Sequence, residues 1–156
     1  MRIAYGVAAS LAALTLTISG PASAAGTAMG LAKAEKLRRL DIMLMVTGLR
    51  CRSTSDNFRP EYGRFTTNHI VELNQASSEL KANLARQYGV AGANRALDRM
   101  STSMANQYGQ GHPWLNCRQL KNVTKNLANA RGAEPLVAAA DQLLGQKPAQ
   151  FALADA

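Results

Sequence analysis

From residue 25 onward the chain has almost no sheet-forming alphabet: 21 Ala and 16 Leu stand against 7 Val plus Ile. Straight-chain residues and alanine lose little freedom in a helix, whereas β-branched residues favour strands. No run of alternating polar and apolar residues is long enough for a strand, while apolar residues recur in steps of three and four. The expected fold is all-α, a compact bundle of about five helices.

Residues 1–24 are set apart. Met1 and Arg2 give a positive start, Val7 to Ile18 form a mostly apolar run of roughly a dozen residues, and Gly20 and Pro21 precede Ala22-Ser23-Ala24. This is the pattern of a secretory signal peptide cleaved after Ala24, and it predicts a periplasmic or secreted product. No run of about twenty apolar residues is present to span a bilayer. No cysteine follows the apolar run, so a lipoprotein acylation site is missing. Removing 1–24 takes away Arg2 alone among the charges and leaves 17 basic against 10 acidic residues, +7.

An oxidising compartment gives the two cysteines a meaning. Cys51 and Cys117 are an even pair with no third, which predicts one intramolecular bridge; the alternatives are a redox-active pair or an intermolecular link. No C-x-x-C pattern is present, although Arg50 and Arg52 flank Cys51 and would favour its thiolate.

Periodicity places the helices. The first runs from about Met29 to Leu49 and is apolar all round at 42–46, so it should be central. After the polar loop 53–57, Pro60 fits an early turn of a long second helix reaching about Tyr88, with the stripe Phe58, Tyr62, Phe65, His69, Leu73, Ala76, Leu80, Leu84, Tyr88. Gly89 closes it. A third helix runs from near Ala91 to Gly109, a fourth from Pro113 or Asn116 to Ala130, and a fifth from Glu134 to Leu144 before Gly145. The helical domain is thus 25–145, with a loose tail at 146–156. A Cys51–Cys117 bridge would tie the end of the first helix to the start of the fourth.

Few residues suggest chemistry. His69 interrupts an apolar stripe with Glu72 three positions on, on the same face. His112 sits in the dense loop Gly109-Gln-Gly-His-Pro-Trp-Leu-Asn116, where Gln110, His112 and Trp114 are binding-loop candidates. His112, His69, Glu72 and Asp98 are the catalytic candidates of an alternative reading, a small hydrolase or metal-dependent enzyme using His112 and His69. No metal-ligand spacing supports a metal site, no nucleophile motif is present, and no cofactor is expected. Gly109-Gln-Gly111 lacks the third glycine and the preceding strand of a dinucleotide fingerprint. Asn122-Val-Thr124 matches a glycosylation sequon on a helix.

The positive charge gathers at Lys33, Lys36, Arg38 and Arg39, and again at Arg50, Arg52, Arg59 and Arg64. Such a surface attracts anions, so the functional expectation is a non-enzymatic exported protein that binds an anionic envelope component or a protein partner. The export signal and the lack of a recognition motif argue against nucleic acid. The bland reading of the same charge is a solvated surface that keeps the protein soluble.

The segments Leu37-Arg-Arg-Leu-Asp-Ile-Met-Leu-Met-Val-Thr-Gly-Leu-Arg-Cys51, Asp56-Asn-Phe58, Gly92-Ala-Asn-Arg-Ala-Leu-Asp98, Ser103-Met-Ala-Asn106 and Tyr108-Gly-Gln-Gly-His-Pro-Trp-Leu-Asn-Cys117 resemble a family of small exported bacterial helical proteins with one cysteine pair. The resemblance covers most of the chain after residue 24 and implies a fold and an address. Some members carry an S-adenosylhomocysteine hydrolase label. That enzyme is a large NAD-dependent α/β protein with a Rossmann domain, whereas this sequence is short, helical and without the glycine fingerprint, so no catalytic residue is carried over.

Overall fold

The computed structural model describes residues 29–145. The predicted signal peptide, 1–24, and tail, 146–156, lie outside the described residues. Within them the protein is all-α: α1 (Leu31–Arg50), a 3-10 turn (Cys51–Ser53), α2 (Arg59–Asn68), α3 (Ile70–Gln107), α4 (Cys117–Asn129) and α5 (Ala133–Leu144).

α1 is the axis. It packs against all four other helices, and Ala34, Leu37, Leu40, Met43 and Leu44 along it are completely buried. Burying each large apolar side chain stabilises the fold by roughly 1.5–3 kcal/mol, so this helix anchors the core. Its one buried hydroxyl, Thr47, donates to the Met43 carbonyl at 2.7 Å and is thereby satisfied. Close approach needs Gly48, because a Cβ there would lie 3.3 Å from the Phe58 ring. Phe58 and Phe65 then carry α2 onto the core with no exposure.

At the α1–α2 joint the Tyr62 hydroxyl donates to Asp41 Oδ1 at 2.8 Å. Burial pushes the Asp41 carboxyl above the usual carboxylate range, partly offset by Tyr62 and Arg38. The Tyr62 phenol is likewise raised, by burial first and then by the adjacent Asp41 charge.

The expected second helix is one element in sequence periodicity and two in space. It breaks at His69, whose backbone (φ −113°, ψ 22°) leaves the helical region between α2 and α3. Two physical causes converge there. Thr66 and Thr67 both bond back to the Gly63 carbonyl, competing with the helix ladder. Asn68 Nδ2 and His69 Nε2 donate to the carbonyls of Ala128 (2.8 Å) and Leu127 (2.8 Å) in the last turn of α4, the latter carbonyl also accepting from the Ala130 amide.

The second expected break is also present. Gly89 (φ 70°, ψ 164°) turns α3 sharply into two arms, a conformation that favours glycine. Leu80, Ala93, Leu97 and Met104 are buried on the two sides of this elbow. α4 begins on a capping box: the Asn116 side chain accepts from the Gln119 amide at 3.0 Å and Gln119 Oε1 accepts from the Asn116 amide at 2.9 Å.

Candidate functional site

The covalent staple fixes the loop that sequence singled out. Cys51 and Cys117 are bridged, with Cα atoms 5.7 Å apart, joining the end of α1 to the first residue of α4. Arg118 and Asp56 (3.8 Å) and Arg50 Nη1, which donates to the Gly109 carbonyl at 2.7 Å, bind the loops on both sides of the bridge.

His112 is fully engaged inside that loop. Its Nε2 donates to the Leu143 carbonyl at 2.9 Å, and its Nδ1 accepts from the amides of Leu115 (3.2 Å) and Trp114 (3.4 Å). The Trp114 ring packs edge-on at 4.6 Å, and Trp114 is partly buried against the core. Burial lowers the His112 pKa below the ordinary histidine value, the Leu143 bond opposing part of the effect. A neutral ring with both nitrogens occupied orders a loop and has no free lone pair for acid–base work. Gln110 is exposed beside it.

His69 lies elsewhere. It is 1% exposed, its ring 5.3 Å from that of Phe65, and it lines a cavity with Glu72, Asn68, Asn129 and Arg131. The two histidines share neither a contact nor a cavity. Asp98 is exposed on α3 and lines neither histidine's cavity, and among the described residues no group of three His, Cys, Asp or Glu side chains is placed to hold a metal ion.

The tightest basic cluster is spent on the fold. Lys33 pairs with Glu134, Lys36 with Asp141 (2.5 Å), Arg39 with Glu35 (3.1 Å) and Gln107 (2.9 Å), and Arg38 with Ser101 (3.0 Å) and Asp41 (3.8 Å). These contacts lace α1 to α5 and α3. Arg52 turns back to the Leu49 carbonyl at 3.5 Å.

Charge without an ion partner is found on the α3 elbow, among other places. Between Glu79 and Asp98 the chain carries Lys81, Arg86 and Arg95 and no acid, and all three are exposed without an ion pair among the described residues. At the bend Tyr88 is 55% and Val90 80% exposed. Sequence periodicity puts Tyr88 on the inward stripe; the turn at Gly89 releases it to solvent. The signal available in the sequence was the acid-free interval around an apolar pair.

Three comparisons with known proteins add no relative: no protein-family model, curated protein or solved structure matches this chain.

Proposed function

We propose that this is an exported binding protein that docks on an anionic surface of the cell envelope, with the α3 elbow as its contact. One observation carries the reading: Tyr88 and Val90 protrude at a bend whose flanks bear Lys81, Arg86 and Arg95 and no carboxylate. An amphipathic tyrosine beside an aliphatic residue suits a membrane–water interface. Each basic residue near an anionic lipid surface contributes about 1 kcal/mol, so three give roughly 3 kcal/mol before any insertion.

The occupied ring of His112 supports binding over catalysis in the loop to which the alternative, enzymatic reading would look. The family resemblance and the leader-like start of the chain support export. Co-sedimentation with phosphatidylglycerol and phosphatidylcholine vesicles tests the reading. Binding should favour phosphatidylglycerol and weaken between about 0.1 M and about 1 M salt, as the Debye length contracts from about 10 Å to about 3 Å. Equal binding to neutral vesicles, or none to anionic ones, contradicts it.

A further inference from the structure

We propose that the cavity at the α2–α3 break binds a small zwitterion of the free α-amino acid type, an ammonium beside a carboxylate. The cavity encloses about 450 Å3, within the range of small-molecule sites. Its chemistry is divided between two walls.

One wall is rich in acceptors. His69 Nε2 donates to the Leu127 carbonyl, and in the tautomer that carries its proton there the ring offers Nδ1 as an acceptor. That nitrogen is buried and has no hydrogen-bond partner, and Glu72 Oε2 stands 3.9 Å from it. Two acceptors face each other across a gap that a donor would fill. Asn68 and Asn129 each give one amide hydrogen to the carbonyls of Ala128 and Lys125, and their side-chain oxygens add further acceptors. The C-terminal end of α4 adds its partial negative charge. A primary ammonium, three donors on one atom, matches this wall, and Glu72, a flexible and partly exposed side chain, is the group that must swing to admit it.

The other wall suits a carboxylate. Arg131 lines it and makes no ion pair among the described residues. Gly132, also lining, caps α5 without a side-chain bond, which sets the positive end of that helix beside the cavity. The helix end is joined by the orphaned His69 nitrogen and the Glu72 carboxylate, which together select a ligand carrying both charges.

Nitrogen-15 NMR of the full chain, titrated with glycine, L-alanine, L-serine and L-glutamate, reads this directly. At least one should shift the His69 Nδ1 resonance and the amides of residues 131–134 saturably, with methylammonium and acetate far weaker. Glu72→Gln and Arg131→Ala should each weaken binding by at least about tenfold, the loss of one charge-assisted contact, while the spectrum stays folded. No saturable shift with any of the four, unchanged affinity in both variants, or an already protonated Nδ1 paired with Glu72 in the free protein at pH 7 would overturn the proposal.

Discussion

His112 Nε2 donates to the Leu143 carbonyl at 2.9 Å, so a single imidazole ties the loop before α4 to the last turn of α5. The same ring accepts from two backbone amides in its own loop. His112→Ala leaves those amides and the Leu143 carbonyl without this partner and should cost about 1–3 kcal/mol in urea denaturation. A change within about 0.5 kcal/mol, the range of an ordinary surface substitution, would show that the ring has no such role.

The same contacts predict a pH dependence. Burial lowers the folded-state pKa of His112 below the unfolded value of about 6.5, because an imidazolium is desolvated and cannot accept from Trp114 and Leu115. A depressed folded pKa means that the unfolded chain binds the proton more readily. The contribution is therefore complete above about pH 6.5 and is lost as pH falls through the folded value. Urea midpoints of the wild type minus those of His112→Gln should shrink on acidification from about pH 7.5 to about pH 5. A difference that stays constant or grows contradicts the assignment.

The Cys51–Cys117 bridge spans 66 residues in sequence. Restricting a loop of that length in the unfolded chain stabilises the native state by about 4 kcal/mol in the chain-entropy model. The Cys51→Ser, Cys117→Ser double variant should melt more than about 10 °C below the oxidised protein in calorimetry. An unchanged melting temperature would place the stabilising contacts elsewhere.

Gly89→Ala distinguishes an elbow from a straight helix. In a continuous helix alanine would stabilise by about 1 kcal/mol. At φ 70° it should instead cost about 1–2 kcal/mol, because no atom lies within 4 Å of the new Cβ and the strain is in the backbone itself. A gain in stability would mean that the bend is absent.

The helical class, the central α1, the stop at Gly89 and the start of α4 near Asn116 were legible because each rests on local signals: composition, period and caps. The break at His69 was not, since the local competition from Thr66 and Thr67 is only one of its causes and the other is tertiary. The bonds from Asn68 and His69 reach carbonyls about sixty residues away on α4, and no local pattern announces them. Candidate sites suffered likewise. His69 and Glu72 do line one cavity, as their spacing suggests, but Arg131 joins them only through the fold. Lys33, Lys36, Arg38 and Arg39 read as a free basic patch because their partners on α5 and α3 lie far along the chain.

Vesicle partitioning of the Lys81→Ala, Arg86→Ala, Arg95→Ala triple variant tests the elbow as the docking surface most directly. All three residues are exposed, so the variant should fold with its stability almost unchanged. Its affinity for phosphatidylglycerol vesicles should fall by about 100-fold, the equivalent of roughly 3 kcal/mol of lost attraction. Undiminished binding by a folded variant would contradict the account and move the contact surface away from α3.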